Sequence, residues 1–249
     1  MKGRAVRIAR IATDHGPRPV VQHGELWREI VDPFATNLAY TGIDHPCSDV
    51  RLLAPVQPTV VIGMAHNGSP AERSRPPQAF LKSVRTLTDP VTPIHLSSQL
   101  GQIHIETELA VVMRHTCRNL VAADIPAAVL GYTIGNDITA VDQIPLDEMM
   151  TQAKNGDGFT PIGPWIETDL DPTHLAMAVH VNGKQVAAAD TGQLARNITE
   201  ILVYLTHYLT LGPGDIVLTG CPGTFATVKP GDTGAVSVDG IGTLTNPIH

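Results

Sequence analysis

The sequence contains few cysteines, few charged residues and few aromatic residues, and these shortages exclude several classes of protein. Its 3 cysteines, Cys47, Cys117 and Cys221, are far apart and odd in number, so neither a disulfide framework nor a zinc site is expected. Charged residues make up 16% of the chain, and the formal net charge is −7. Because no cluster of Lys and Arg contains interleaved aromatic residues, the sequence argues against nucleic-acid binding.

Long apolar runs are also missing. None approaches the ~20 residues of a membrane-spanning helix, because Gly, Pro or a charged residue interrupts each one. Residues 1–7 are basic but contain no apolar core, so no signal peptide is expected. Together with the unpaired cysteines, this pattern predicts a cytoplasmic protein without a membrane partner.

What the sequence does contain is enough apolar material for one large domain with many turns. Hydrophobic residues make up 43% of the 249 residues, and the chain holds 22 Gly and 20 Pro. Strand-like patterns outnumber helical ones without regular alternation, which predicts an α+β fold with a mixed, rolled sheet. We place a small β-containing N-terminal module at residues 1–54 and the main domain at residues 55–249. Apolar residues at helical spacing predict one long helix over residues 193–209.

The most informative stretch covers residues 103–112. Read as a strand, it places Glu106 and Glu108 on one face with His104. Successive residues on one face of a strand lie ~6–7 Å apart, so the two carboxylates share one patch at the start of an apolar run. Their burial is costly unless a cation with oxygen ligands compensates it. On this stretch alone, a cation site and a solvated edge strand are both possible, and His104 is interpreted as a packed neighbour.

Two further stretches supply partners for these carboxylates. Asp137 follows an apolar strand pattern and so lies where a strand leaves the core. Three carboxylates suit Mg²⁺ or Mn²⁺ better than zinc, which prefers His and Cys. Lys154 stands in a Gly-rich loop with Asp157 and is a candidate for binding a substrate carboxylate or an oxyanion. The alternative is a surface Lys in a turn.

Residues 65–77 form a polar segment broken by Gly and Pro, which is either disordered or a lid over a site. Its His66 and Glu72 are candidates for proton exchange with a substrate, although loop residues of these types are often only solvated. Thr191 precedes the predicted helix and is also compatible with a capping role. No phosphate-binding loop and no Gly-x-Ser-x-Gly turn occurs, and Cys221 is interpreted as a packed thiol.

A series of motifs runs from about residue 55 to the end of the chain. In order they are Val61-Ile62-Gly63-Met64, the loop with Glu72, Phe80-Leu81-Lys82, Glu106-Thr107-Glu108-Leu109-Ala110-Val111-Val112, Gly131-Tyr132-Thr133, Asn136-Asp137, Lys154 with Asp157, Pro161-Ile162-Gly163-Pro164, Val181-Asn182-Gly183, Thr191 and residues 211–222. In this order and spacing, the chain resembles the fumarylacetoacetate hydrolase family. Residues 154–163 and 190–197 look most like its homoprotocatechuate branch, which contains the 2-hydroxyhepta-2,4-diene-1,7-dioate isomerase / 5-carboxymethyl-2-oxo-hex-3-ene-1,7-dioate decarboxylase.

The resemblance implies a β-roll, a homodimer, and Mg²⁺ or Mn²⁺ bound by Glu106, Glu108 and Asp137. It also implies a small 2-oxo acid or enol substrate and one of four reactions, namely hydrolytic C–C cleavage, decarboxylation, isomerisation or hydration. Of these we expect isomerisation or decarboxylation through an enolate, with the cation as Lewis acid. The other site residues that we expect are Lys154, Glu72 and His66 for catalysis, and Asp157, Thr191 and Arg196 for substrate binding.

Two departures from the family pattern bear on the reaction. Hydrolytic members usually carry a lid of the form Asn-Tyr-x-x-His-x-x-Glu, whereas Ala65, His66 and Ser69 stand at the first three places here and only Glu72 is kept. Many members have Arg shortly after the metal-binding Asp, where this chain has Val141. The groups left to bind a substrate carboxylate are Lys154, Arg73, Arg75 and Arg196. Both departures favour isomerisation or decarboxylation, and the alternatives are an acylpyruvate hydrolase, an oxaloacetate decarboxylase and a non-catalytic relic kept for binding or assembly.

Overall fold

The computed structural model describes residues 6–249, which form many β-strands and few helices. The basic N-terminal segment considered above therefore lies largely outside the described residues. The predicted predominance of strands in a mixed α and β structure is confirmed. Within residues 6–249, none of the helices has both the length and the apolar composition of a transmembrane span.

The elements follow one another along the chain without regular alternation of strand and helix. The strands are β1 Arg7–Ile11, β2 Arg18–His23, β3 Leu26–Ile30, β4 Tyr40–Pro46, β5 Leu52–Leu53, β6 Val61–Ala65, β7 Gln78–Lys82, β8 Leu87–Thr88, β9 Ile103–Met113, β10 Val129–Asn136, β11 Thr139–Ala140, β12 Thr160–Glu167, β13 Ala176–Val181, β14 Lys184–Asp190, β15 Ile216–Leu218, β16 Phe225–Val228, β17 Thr233–Val238 and β18 Gly242–Pro247. The α-helices are α1 Ile125–Ala128, α2 Thr151–Lys154 and α3 Ile198–Tyr208. The 3₁₀ turns are Cys47–Asp49, Pro70–Ser74, Val84–Thr86, Ala122–Asp124, Val141–Leu146 and Thr191–Gln193.

The strands of the described residues form two sheets. The larger, with 14 strands, follows the order β4-β3-β2-β1-β12-β10-β9-β15-β6-β7, with β5, β8, β11 and β16 paired at its sides. It is mixed, because β15 runs parallel to β6 and β8 parallel to β12 while its other pairs are antiparallel. The N-terminal strands continue this sheet through the pairing of β1 with β12. The smaller sheet has the order β14-β13-β17-β18.

Strand β9 lies at the centre of the core. On one face, Ile105 and Leu109 pack with residues of the smaller sheet, and Val111 packs near α3. On the other face, Ala110 and Val112 pack with residues of the N-terminal strands. Burial on both faces explains why the second half of the strand reads as a continuous apolar run.

Helix α3 is shorter than the sequence pattern predicts. It begins at Ile198 rather than at residue 193, because Asn197 caps it and residues 191–193 form a separate 3₁₀ turn. The Asn197 side chain accepts the Glu200 N–H at 3.0 Å, and the Glu200 carboxylate accepts the Asn197 N–H at 3.0 Å. This reciprocal cap satisfies two free donors of the first turn.

The buried carboxylate of Asp215 joins the segments that lead into two neighbouring strands. Its Oδ1 accepts the N–H groups of Thr59 and Val60 at 2.9 and 2.8 Å, and its Oδ2 accepts the Gly212 N–H at 2.6 Å. Asp232 ends a second Pro-Gly-Asp turn of the same sequence but is only half-buried. The two turns therefore form a matched pair that differs in burial.

We expect Asp215→Asn to lower the free energy of unfolding by about 2–3 kcal/mol, because an amide cannot accept at both ends and loses charge-assisted hydrogen bonds. Asp232→Asn should change the free energy much less. Urea denaturation of both variants measures this difference. Equal losses of stability would show that the Asp215 hydrogen bonds do not hold the two segments together.

Candidate active site

The strands that pair with β9 differ between its two halves, and the change occurs at Glu106 and Glu108. Its second half pairs with β10 and β15, and its first half pairs with β11 and β16. Asp137 lies in the gap between β10 and β11, and its N–H donates to the Glu106 carbonyl oxygen at 3.1 Å. Single carboxylate oxygens of Glu106, Glu108 and Asp137 therefore lie within 4.8 Å of one another.

Lys154 reaches this cluster from the end of α2. Its Nζ donates to Asp137 Oδ2 and to Thr139 Oγ1, each at 2.6 Å, and lies 3.4 Å from Glu106 Oε2. The Thr139 hydroxyl in turn donates to Glu106 Oε1 at 2.6 Å. The lysine is buried rather than a surface residue of a turn, so the structure excludes that alternative.

Lys82, at the end of β7, is a second ammonium group in the cluster. It donates to Asp137 Oδ1 and, at 3.0 Å, to the Phe159 carbonyl oxygen. The side chains of Lys82 and Asp137 are 0% exposed, so this ion pair is entirely shielded from water. Asp137 is thus held between two lysines.

The pKa shifts of the carboxyl groups follow from this arrangement. Burial raises the pKa of Glu108 well above its usual value, and the nearby Asp137 and Glu106 charges raise it further, against the lowering effects of Lys154 and of the Gly220 N–H. Burial also acts to raise the pKa of Asp137, but Lys154 and Lys82 outweigh it and the pKa is lowered. Glu108 is therefore the acid whose negative charge is least compensated.

A divalent cation fits this donor set. The three carboxylates supply oxygen ligands without His or Cys, which is the chemistry that Mg²⁺ and Mn²⁺ prefer. A cation there would also supply the positive charge that Glu108 lacks. Glu106, Glu108 and Asp137 are the residues that would hold it.

The predicted lid is an ordered segment in this structure. Its 3₁₀ turn, Pro70–Ser74, is capped by Glu72, whose Oε2 accepts the Gly68 and Ser69 N–H groups at 2.7 and 3.2 Å. His66 Nδ1 lies 3.6 Å from Glu72 Oε1 and 3.0 Å from an Arg75 guanidinium nitrogen. Because Arg only donates, Nδ1 accepts in this arrangement and the proton of a neutral His66 is on Nε2.

Arg196 and Asn67 fasten this lid to the rest of the molecule. The buried Arg196 guanidinium donates to the backbone carbonyl oxygens of His66 and Arg75, one at each end of the lid. The Asn67 amide donates to the Thr219 carbonyl oxygen at 2.7 Å, one residue before the Gly220 N–H that contacts Glu108. Arg196 therefore positions the lid in this structure, and its predicted contact with substrate stays a prediction.

The remaining predicted residues have other surroundings. Asp157 is exposed in the loop between α2 and β12. Thr191 is buried, and its hydroxyl donates to the Pro172 carbonyl oxygen at 2.8 Å and accepts the Leu175 N–H at 2.9 Å. Thr191 does not cap α3, because Asn197 does, and substrate roles for Thr191 and Asp157 stay predictions.

Lys82 and Thr139 are site residues that the sequence analysis did not select. Lys82 shares a strand face with the buried Phe80, two residues earlier, and this spacing is the signal that could have revealed it. Thr139 follows Asp137 by two residues, but its contact with Glu106 depends on pairing between distant segments.

Comparison with known proteins identifies relatives of the whole chain. The family description fumarylacetoacetate (FAA) hydrolase, C-terminal, matches residues 54–249, and the description Rv2993c-like, N-terminal, matches residues 6–55. The chain is 40% identical to protein Rv2993c of Mycobacterium tuberculosis, over 98% of both chains. It is 33% identical to the 4-hydroxyphenylacetate degradation bifunctional isomerase/decarboxylase of Escherichia coli, over 99% of this chain and 55% of that protein.

Solved structures give the same result. The 2-hydroxyhepta-2,4-diene-1,7-dioate isomerase of Mycobacterium marinum superposes with a TM-score of 0.92 at 38% identity, covering 98% of each chain. Maleylpyruvate hydrolase of Sphingobium sp. SYK-6, in complex with manganese(II) and pyruvate, superposes with a TM-score of 0.79 at 26% identity, covering 97% of this chain and 98% of that one. On these matches, and with the site's geometry in place, the chain belongs to the fumarylacetoacetate hydrolase family.

Proposed function

We propose that the protein is a divalent-metal-dependent isomerase or decarboxylase of a 2-oxo or 2-hydroxydienoic acid. The observation that carries the proposal is the cluster of Glu106, Glu108 and Asp137 with Lys154 in contact. The isomerase and isomerase/decarboxylase relatives support the reaction class. A homodimer and a cytoplasmic location remain parts of the same proposal.

The charges of the site suit an anionic substrate. When all five groups are ionised, the carboxylates of Glu106, Glu108 and Asp137 outnumber the ammonium groups of Lys82 and Lys154 by one negative charge. A divalent cation would reverse this sign and supply Lewis-acid stabilisation of the charge that develops on a 2-oxo oxygen. A 2-oxo acid would then enter a site of opposite charge.

Lys82 and Lys154 would have different roles in the reaction. Lys82 is shielded from water and fixes Asp137, so it acts on the site's geometry. Lys154 is 8% exposed and lies at the edge of the cluster, where its ammonium group can stabilise developing negative charge on a bound substrate. Thr139 orients Lys154 by accepting a hydrogen bond from its ammonium group.

Proton transfer is assigned to the lid. His66 and Glu72 lie next to each other, and Asn67 ties the base of the lid to the turn that contacts Glu108. The Glu72 carboxylate can take a proton from a substrate carbon on Oε1, and the neutral carboxylic acid so formed can return that proton to another carbon of the enolate. With Nδ1 accepting from Arg75, His66 can donate a hydrogen bond from Nε2 to the substrate without losing its proton.

Hydrolysis of an acylpyruvate is the second candidate. The lid lacks His at position 69, but His66 Nδ1 lies 3.6 Å from Glu72 Oε1, so a His–Glu pair exists at a different spacing. The Glu72 carboxylate of this pair could act as the base that activates water. NMR identification of the products distinguishes cleavage with added water from isomerisation or loss of CO₂.

We expect the purified protein to convert a 2-hydroxydienoic or 2-oxo diacid in the presence of Mg²⁺ or Mn²⁺, in a small panel that also contains an acylpyruvate and oxaloacetate. Glu106→Gln should lower kcat/KM by about a hundredfold or more, because it removes a metal ligand. Glu25→Gln, in an exposed turn, is the control and should behave as wild type. Full activity of Glu106→Gln, or activity that chelation leaves unchanged, would refute a metal-dependent reaction.

Glu72→Gln tests the lid. The amide oxygen can still accept the Gly68 and Ser69 N–H groups, so the lid should stay folded while its proton-transfer capacity is lost. We expect kcat to fall by about a hundredfold with little change in KM. Ser74→Ala, a change on the same turn, should leave kcat unchanged. If Glu72→Gln raised only KM, Glu72 would serve to close the lid rather than to move a proton.

A further inference from the structure

The strand β16 brings an aromatic side chain to the edge of the carboxylate cluster. In its antiparallel pairing with β9, Phe225 lies opposite Glu106 and Thr227 lies opposite His104. Residues directly opposite each other in such a pair project from the same face of the sheet. The next residue, Ala226, is buried in the core on the other face, as this alternation requires.

Phe225 is held by a stacked partner rather than extending freely into water. Its ring and the His104 ring are nearly parallel, with an interplanar angle of 16° and centroids 4.9 Å apart. Phe225 nevertheless remains 46% exposed. Isolated exposed apolar residues are common, so its position beside Glu106 and its ordered stacking, rather than its exposure alone, point to a role.

Exposure rises along this face from the cluster toward the aromatic pair. Glu108 is 3% exposed, the Glu106 side chain is 17% exposed, and Phe225 is open to solvent. On the Glu108 side, the Gly220 N–H donates to the carboxylate, so the backbone of this turn lies against it. A ligand whose charged end lies at Glu106 and Glu108 would therefore extend its other end over Phe225.

We propose that Phe225, positioned by His104, forms a distal subsite that binds the planar unsaturated chain of an extended 2-oxo acid by face-to-face stacking. A ring face binds a conjugated chain better than a short or fully hydrated one, because it combines apolar burial with a defined stacking geometry. The subsite would make the protein select conjugated 2-oxo acids over short ones that share the same charged end. This inference rests on the proposed function.

Calorimetric titrations in saturating Mg²⁺ test the subsite without requiring turnover. The probes are pyruvate, which has only the 2-oxo acid end, and benzylidenepyruvate, which adds a planar conjugated chain. We expect wild type to bind benzylidenepyruvate more tightly than pyruvate, and Phe225→Ala to weaken benzylidenepyruvate by about tenfold while leaving pyruvate unchanged. Tyr208→Ala, an exposed aromatic residue of α3, is the matched control and should alter neither affinity.

His104 is tested as a positioning residue by two variants. Compared with wild type, His104→Ala should lose part of the preference for benzylidenepyruvate over pyruvate. His104→Phe, whose ring can still stack on Phe225, should retain that preference. Equal weakening of both probes by Phe225→Ala, or no weakening of either, would overturn the subsite. So would a changed oligomeric state of Phe225→Ala with unchanged affinities, which would assign Phe225 to an interface between copies of the chain. If wild type binds neither probe with Mg²⁺ present, the proposed function itself fails.

Discussion

The burial of Asp137 between two lysines is the interaction on which the site depends. An unpaired charge at this position would cost several kcal/mol, whereas here Lys82 and Lys154 each contact one carboxylate oxygen. Glu106 and Glu108 add two more negative charges that the lysines only partly compensate. A bound cation would neutralise this surplus negative charge, whereas the packing of side chains alone would not.

The cluster forms because the strands on both sides of β9 are interrupted next to its two glutamates. Between β10 and β11 the gap holds Asp137, and between β15 and β16 the gap holds the turn with Gly220. Strand β9 runs unbroken between them and presents Glu106 and Glu108 at both gaps. Its opposite face is buried against the smaller sheet, so the carboxylates cannot exchange faces without exposing Ile105 and Leu109.

Part of this could be predicted from the sequence. The period-two alternation of residues 103–109 predicted which side chains share a face, and the structure buries Ile105 and Leu109 on one face and places both glutamates on the other. The long helix was also predicted, although its start was wrong because apolar spacing continued past the Asn197 cap. Both features are local in the chain, so the periodicity of apolar residues in the sequence is enough to predict them.

The features that could not be predicted depend on contacts between distant segments. Lys82 reads as an ordinary strand lysine until β7 is packed against the segment with Asp137, 55 residues away. The contacts of the Arg196 guanidinium with the lid backbone likewise join segments that are 130 and 121 residues apart in the chain. The position of Phe225 beside the cluster depends on the register between β16 and β9, which places it opposite Glu106.

Calorimetric titration of Mn²⁺ into the protein near neutral pH tests the central claim most directly, because it measures the cation site without a substrate. The account predicts saturable binding of about one ion per chain, weakened at least about tenfold in Glu108→Gln, which removes the least compensated acid. Absence of saturable binding, or equal binding by the Glu108→Gln variant, would contradict the assignment of these carboxylates to a metal.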